Sequence, residues 1–267
     1  MWKWLLSAGI AAMLATFPAA AADFFTVSAC EDGGRLPVIF QIDCSNVADP
    51  HAKALCPVFL RNQACRVFPA YRQITGIRME QFCPSLTYTI YDQDKWPEQG
   101  GEAGGLALRC AVHYMTQYSV GSTSSAPFGP YDTHEILHEY HEALGAIPYQ
   151  HILFSVSQPE VMRLVGDTAA YDKAIARMKQ EVSTFDQRSQ MLAQRGGTID
   201  QCVLAEVQVE EQLYLADRRN VYRFYQALGP ARSNSQADRE ARFNRMYDKV
   251  SGGRVRAFLL AHGCAPF

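Results

Sequence analysis

The chain has 267 residues, 48% of them hydrophobic, so it can bury one substantial core or two smaller ones on either side of a cleft. Its 25 Lys and Arg residues nearly balance its 27 Asp and Glu residues, which leaves a formal net charge of −2. No basic stripe alternates with aromatic residues, so nucleic acid is not an expected partner.

The first residues predict an export signal. A lysine near the start precedes an apolar run over residues 5–17, and Ala20 and Ala22 provide a small-residue cleavage site. The run is shorter than the roughly 20 residues that a membrane-spanning helix needs. We therefore expect a signal peptide over residues 1–22, no stable membrane anchor, and a secreted or periplasmic mature protein.

Eight cysteines follow the predicted leader, and an even count in an exported chain indicates disulfide bonds and an oxidising compartment. A four-cysteine zinc site is the alternative, but no two cysteines are separated by two residues as such sites require. Short loops favour pairing between neighbours, which gives Cys30 with Cys44, Cys56 with Cys65, Cys83 with Cys110, and Cys202 with Cys264.

Residues 23–82 are rich in Cys and Pro and predict a small, loop-rich N-terminal region held by disulfides. Two later segments, residues 86–91 and 106–118, are rich in β-branched and aromatic residues and each predict a strand of one sheet. In the second segment apolar residues alternate at period two from Leu106 to Tyr114.

After residue 131 the pattern changes to helix. Asp132 or Thr133 is suited to cap a helix N-terminus, Gly145 to end that helix, and Pro148 to prevent its continuation. Further helices are predicted at residues 158–165, 168–194, 200–228 and 236–262. This order predicts an α+β chain, in which a disulfide-stapled N-terminal region and sheet precede a histidine-bearing helix and a mostly helical C-terminal half.

The predicted helix carries three histidines and three glutamates in the stretch YDTHEILHEYHEALG, residues 131–145. Residues four apart lie on one helix face, so His134 and His138 can bind one metal ion. Glu135 lies about 100° around the helix from His134, within reach of a water molecule on that ion. One alternative is an ordinary charged helix. Another is a di-iron bundle, since Glu135 and His138 form an E-x-x-H element, but the later helices contain no second copy.

The H-E-x-x-H pattern from His134 to His138 resembles the zincin metallopeptidases, and the order of edge strand, loop, motif helix and helical half is similar to theirs. The resemblance implies a zincin-like domain over residues 83–267. It also implies a Zn2+ ion held by both histidines and a third ligand, with Glu135 as general base for metal-activated water. A protein or peptide substrate would lie along the edge strand.

The expected function is therefore a secreted zinc-dependent peptidase. Two alternatives belong to other functional classes. One is a non-catalytic binding or inhibitor module on a zincin-like scaffold. The other is a structural envelope protein in which the motif is incidental.

The third ligand distinguishes the branches of the zincins. Metzincins continue their motif with x-x-G-x-x-H, whereas His141 and Leu144 occupy those glycine and histidine positions here, which excludes that branch. On a straight helix His141 lies about 10 Å along the axis from His134, too far to bind the same ion. His141, His151 and Tyr214 are instead candidates for oxyanion or substrate contacts.

Gluzincins take their third ligand from a glutamate of a later helix, often with an acidic residue four positions on. Glu206 and Glu210 have this spacing. The family pattern favours Glu206 as the ligand, whereas the helical wheel places Glu210 nearer the centre of the apolar face. In the alternative interpretation both glutamates pair with Arg218 or other cations. No Asn precedes either glutamate and the gap from His138 is long, so no subfamily is identified.

Overall fold

The computed structural model describes residues 23–31, 34–96, 105–115, 132–143, 153–194, 198–229 and 235–264. The predicted leader lies outside the described residues, as do Gly145, Pro148 and His151. Within them the α+β class is confirmed, because a sheet is followed by a predominantly helical C-terminal half.

The strands form one mixed sheet and are β1 (Phe24–Glu31), β2 (Gly34–Asn46), β3 (Ser85–Tyr91), β4 (Gly105–Leu108) and β5 (Ala111–Met115). Their order across the sheet is β1-β2-β3-β5-β4. The pairs β1–β2 and β4–β5 are antiparallel, whereas β3 runs parallel to both β2 and β5. Among the described strands, β1 and β4 are therefore at the edges, and the sheet contains strands from both sides of residue 82.

The helices of the described residues are α1 (Pro50–Asn62), α2 (Phe68–Thr75), α3 (Glu135–Ala143), α4 (Phe154–Leu164), α5 (Thr168–Ser183), α6 (Phe185–Gln194), α7 (Thr198–Ala216), α8 (Asn220–Leu228), α9 (Gln236–Ser251) and α10 (Arg254–Ala261). A π-helical turn, Gln63–Val67, connects α1 directly to α2. Two short 3₁₀ turns flank β3, at Met79–Gln81 and Gln93–Lys95.

The expectation of a loop-rich N-terminal region is wrong. Strands β1 and β2 form a long hairpin, and α1 to α2 are one helical run that packs on the sheet. Phe68 meets Phe40 of β2 edge-on at 5.1 Å between ring centroids, and Phe59 meets Tyr88 of β3 at 5.4 Å. Proline misled the prediction because Pro50 lies in the first turn of α1, where its missing N–H costs no helical hydrogen bond.

The single strand predicted over residues 106–118 is also wrong where the chain is described. A two-residue turn containing Cys110 divides it into β4 and β5, and Cys110 adopts a left-handed φ of 65°. In the backbone register Leu106 pairs with His113, and Ala107 pairs with Val112. The period-two alternation runs through the turn without marking it.

The helix predicted at residues 158–165 starts four residues late, since α4 begins at Phe154, and the three later predicted helices are correctly placed but too long. Breaks separate α5 from α6 at Thr184, α7 from α8 at residues 217–219, and α9 from α10 at Gly252 and Gly253. The two glycines have φ values of 62° and 80°, which only glycine adopts without steric cost.

Four disulfide bonds join all eight cysteines and are Cys30–Cys65, Cys44–Cys56, Cys83–Cys110 and Cys202–Cys264. The last two confirm the predicted pairs, and the predicted Cys30–Cys44 and Cys56–Cys65 pairs are wrong. The β1–β2 hairpin places Cys30 opposite Arg35, about 24 Å along the strands from Cys44. Cys56 and Cys65 lie about 13 Å apart along one helical run, which exceeds the Cα separation that a disulfide spans.

These disulfides are consistent with folding in an oxidising compartment. None of the eight cysteines is a free thiol. In the described part of the chain, no helix is both long enough and apolar enough to cross a membrane.

Candidate metal centre

Asp132 fixes the start of the motif helix α3. Its buried carboxylate accepts the backbone N–H groups of His134 at 2.7 Å, Glu135 at 3.0 Å and Ile136 at 2.9 Å, which have no partners within the helix. The Tyr114 hydroxyl of β5 donates to the same carboxylate at 2.5 Å, so the cap also ties α3 to the sheet. Burial raises the pKa of Asp132 above its ordinary value, although these hydrogen bonds oppose the shift.

His134 and His138 direct their Nε2 atoms to one point. These two atoms are 3.3 Å apart. Two imidazole nitrogens bound to one tetrahedral zinc ion at about 2.0–2.1 Å would be about 3.3–3.4 Å apart, so the pair fits such an ion. The carboxylate of Glu135 comes within 3.9 Å of His134 Nε2. Ligand atoms of all three side chains lie within 4.8 Å of one another.

Two residues of α4 contact the histidine pair. The ring of Phe154 packs on both imidazoles, at 4.8 Å from His134 and 4.7 Å from His138 between centroids. The side-chain amide nitrogen of Gln158 lies 3.2 Å from Nδ1 of His134. A histidine that binds metal through Nε2 carries its proton on Nδ1. As placed, the Gln158 amide donates to Nδ1 and, at 3.4 Å, to the carbonyl of Thr133. Metal binding through Nε2 would need the amide oxygen to face the ring instead and to accept a hydrogen bond from Nδ1–H.

His141 belongs to a different cluster. It is buried, and its Nε2 lies 2.9 Å from the hydroxyl of Tyr225 in α8, which lies 2.9 Å from the hydroxyl of Ser157 in α4. The His141 ring also contacts Phe154 at 5.3 Å. These contacts join α3 to α4 and α8. Among the described residues, the ligand group around His134 does not include His141.

Glu206 and Glu210 are both buried in α7, and Glu210 is fully inaccessible. The hydroxyl of Tyr247 in α9 hydrogen-bonds to both carboxylates. Burial raises the pKa of Glu206 to about 7, against the opposing hydrogen bond from Tyr247. The pKa of Glu210 is raised well above its ordinary value. Burial is the larger cause, and repulsion from the neighbouring Glu206 carboxylate is the second. Two such carboxyl groups retain protons at neutral pH unless a cation is nearby.

Neither glutamate belongs to the group formed by the two histidines and Glu135. Glu210 is nevertheless connected to it, because its carboxylate accepts the backbone N–H of Leu153 at 3.1 Å. Leu153 immediately precedes Phe154, whose ring contacts both histidines, and has a left-handed φ of 60°. Glu206 has no corresponding contact among the described hydrogen bonds, so Glu210 is the more closely connected of the two to the histidine pair.

Tyr214 and Arg218 are both engaged with Glu160 of α4. Tyr214 donates its hydroxyl to this buried carboxylate at 2.8 Å, and Arg218 donates at 2.9 Å. Arg163 and Tyr222 also donate to Glu160. Arg218 is therefore the partner of Glu160, not the expected partner of the α7 glutamates. His151, the remaining oxyanion candidate, lies outside the described residues.

The other side of α3 is fixed to the edge hairpin. The buried carboxylate of Glu139 accepts the backbone N–H of Cys110 at 2.7 Å, in the turn between β4 and β5. Burial raises the pKa of Glu139 to about 7. Glu139 also lies within ligand range of Cys83 and Cys110, but these sulfurs are joined as a disulfide and offer no thiolate.

Several contacts were not predicted from the sequence. Phe154 and Gln158 reach the histidines only because α4 begins at residue 154, ahead of the predicted helix start, and packs across α3. No periodicity or spacing connects Glu139 to Cys110. The capping aspartate was predictable, since Asp132 directly precedes the first helical turn.

Chemically, the arrangement offers two neutral nitrogen ligands and an adjacent carboxylate that can exchange protons with a bound water molecule. Helix α3, which carries the site, also contacts β4 at the edge of the sheet. No protein-family profile, curated protein or solved structure matches this chain.

Proposed function

We propose that this protein is a zinc-dependent peptidase of the zincin type. The observation that carries the proposal is the 3.3 Å separation of the Nε2 atoms of His134 and His138, beside the Glu135 carboxylate. A shared tetrahedral ion requires such a separation. A direct hydrogen bond between the two imidazoles gives a similar distance, so the adjacent Glu135 carboxylate is the second part of the observation.

His134 and His138 would hold the ion. A bound zinc ion would act as a Lewis acid that activates water and polarises a peptide carbonyl. Glu135 takes the proton from the attacking water and delivers it to the leaving amine. Its side chain is only 10% exposed, so bulk water competes little for that proton. Asp132 sets the orientation of these groups by fixing the first turn of α3.

The edge strand β4 provides a place for an extended peptide. It is an outer strand of the described sheet and lies against α3. An added peptide strand can hydrogen-bond to the backbone of such an edge. The hydrogen bond from Cys110 to Glu139 fixes the hairpin relative to the motif helix, and so keeps the peptide and Glu135 in register.

A third protein ligand completes the zinc site in this proposal. Glu210 is our first choice, because it bonds to the backbone directly before Phe154 and is a fully buried carboxylate without an arginine or lysine among its described partners. Glu206 is the second choice, since it shares the Tyr247 hydroxyl with Glu210. Binding a cation would relieve the cost of burying both carboxylates together.

Export is part of the same proposal. The N-terminal sequence has the lysine, apolar run and small-residue cleavage site of a signal peptide. Four disulfides in the folded chain require an oxidising compartment such as the periplasm or the cell exterior.

The test compares Glu135→Gln with the wild type in the cleavage of an unfolded protein, with zinc content measured on the same samples. Loss of a positioned acid-base group is expected to slow turnover by roughly 10²- to 10⁴-fold, while zinc is retained. Glu142→Gln is the matched control, because Glu142 is partly exposed on the same helix. Glu139→Gln is unsuitable as a control, since it perturbs the buried contact to Cys110.

Equal cleavage by wild type and Glu135→Gln would end the peptidase proposal. A zinc-loaded wild type without hydrolysis would favour a non-catalytic metal-binding module instead. Two observations already favour that module over the peptidase: Phe154 packs on both imidazole rings, and neither α7 glutamate lies within the ligand group.

A further inference from the structure

A cavity of about 800 Å³ lies beside α2, away from the histidine pair. Arg66, Pro69, Ala70 and Gln73 line it from one helical face, because they are spaced at i, i+3, i+4 and i+7. The end of α4 forms part of the opposite wall. The volume lies within the roughly 300–1,000 Å³ that is typical of small-molecule sites.

The lining of this cavity is basic. It includes Arg66, Arg72 and Arg78, and no carboxylate among the described lining residues. Glu80 pairs with Arg72 at 3.2 Å and with Arg78 at 2.9 Å. Arg66 donates to the carbonyl of Val165. Three arginines at one cavity concentrate positively charged side chains there.

A second cavity of about 690 Å³ adjoins the first. Both are lined by Gln73, Gly76 and Arg78, so they share part of their walls at the end of α2. Gly76 ends the helix with a left-handed φ of 68°, which turns the chain and brings Arg78 to this shared wall. The other walls of the second cavity include the aromatic residues Phe82 and Tyr222.

We propose that the two cavities together bind an amphipathic organic anion. Its phosphate or carboxylate group would lie against Arg66, Arg72 and Arg78, because planar guanidinium groups bind such anions through paired hydrogen bonds. Its apolar part would occupy the second cavity beside Phe82 and Tyr222, removing hydrocarbon from water. This site is separate from the histidine pair and does not depend on metal binding.

The test is isothermal titration of the full disulfide-bonded protein with octyl phosphate, octanoate, inorganic phosphate and octanol. At least one of the two amphiphilic anions should bind about 10-fold or more tightly than both inorganic phosphate and octanol, since it alone fills both cavities. The tighter of octyl phosphate and octanoate identifies the head group. Binding of both anions no tighter than octanol would overturn the proposal.

Two variants locate the site. Arg78→Gln should weaken binding about 10-fold, the effect of losing one charged hydrogen-bonding group. Gln73→Glu places a negative charge at the shared wall and should weaken binding similarly, whereas Gln73→Ala should not. Both positions tolerate change, because Gln73 and Arg78 are exposed.

The matched control is Arg177→Gln. Arg177 has a side chain 62% exposed against 66% for Arg78, also pairs with a glutamate, and lines neither cavity. It should bind the anion as the wild type does. Wild-type affinity in both Arg78→Gln and Gln73→Glu would place any binding elsewhere and refute the proposed site.

Discussion

Replacing Asp132 tests the structural basis of the motif helix. The Asp132 carboxylate is buried and holds three backbone N–H groups and the Tyr114 hydroxyl. Losing an N-cap side chain costs about 1 kcal/mol. Leaving the buried Tyr114 hydroxyl without its acceptor adds about 1–3 kcal/mol, and the buried start of the helix loses further hydrogen bonds. Asp132→Ala should therefore lower the free energy of unfolding by about 3–5 kcal/mol.

Asp132→Asn should cost less. The oxygen that accepts from His134, Glu135 and Tyr114 can be retained, but the amide nitrogen then faces the N–H of Ile136, which is also a donor. We expect a loss of about 1–3 kcal/mol. The free energies are measured by urea unfolding at pH 7, followed by circular dichroism and tryptophan fluorescence.

Asp49→Ala is the control for an ordinary cap. Asp49 accepts the N–H of His51 at the start of α1 but is exposed, so its loss should cost about 0.5–2 kcal/mol. If Asp132→Ala lies within about 0.5 kcal/mol of the wild type, or is no more damaging than Asp49→Ala, the buried cap does not hold α3 as described.

Three further outcomes are expected. Changing one of Glu206 and Glu210 to Ala should remove bound zinc, and changing the other should weaken binding or activity roughly 10- to 100-fold; normal zinc in both variants would place the third ligand elsewhere. Burial raises the pKa of Glu160, but hydrogen bonds from arginine and tyrosine side chains outweigh it and leave the pKa below its ordinary value. Its contribution to stability is therefore present above the unfolded pKa and lost as pH falls through the folded pKa. Glu160→Gln should cost about 2–4 kcal/mol at pH 7 and flatten the acid limb of the stability profile in urea titrations; an unchanged limb would contradict the assignment. Peptide mapping without reduction should find Cys30 linked to Cys65 and no alkylated thiol, whereas a Cys30 peptide joined to another cysteine would contradict this fold of the hairpin.

The sequence predicted features that depend on local patterns. The cap at Asp132, the strand at residues 86–91 and the Cys83–Cys110 disulfide follow from short-range signals, and each occurs in the structure. The Cys202–Cys264 pair, 62 residues apart, was predicted only as a pairing of neighbours and also occurs. The H-E-x-x-H spacing likewise predicted that His134 and His138 would lie on one face, and their Nε2 atoms do converge.

What the sequence did not predict depends on long-range packing. Cys30 finds Cys65 only after the hairpin and the α1–α2 run have folded together. The hairpin at Cys110 was missed because a two-residue turn leaves the alternation of apolar residues intact. The basic cavity was missed because Arg66 precedes α2 and Arg78 follows its C-terminus, so no single sequence pattern joins them.

The relation between the histidines and α7 also requires tertiary information. The helical wheel correctly placed Glu210 deeper than Glu206 in α7. It contained no information on Phe154 or Leu153, which lie between the two parts of the proposed site.

Bound zinc per chain is the most direct test of the central claim. It is measured by plasma mass spectrometry after dialysis of wild type, His134→Ala and His138→Ala against one buffer containing trace zinc. Our account predicts about one ion per wild-type chain and close to none in either variant, since each removes one of only three protein ligands. A wild-type chain without zinc would favour a structural protein with an incidental motif, and variants with wild-type zinc content would contradict the site itself.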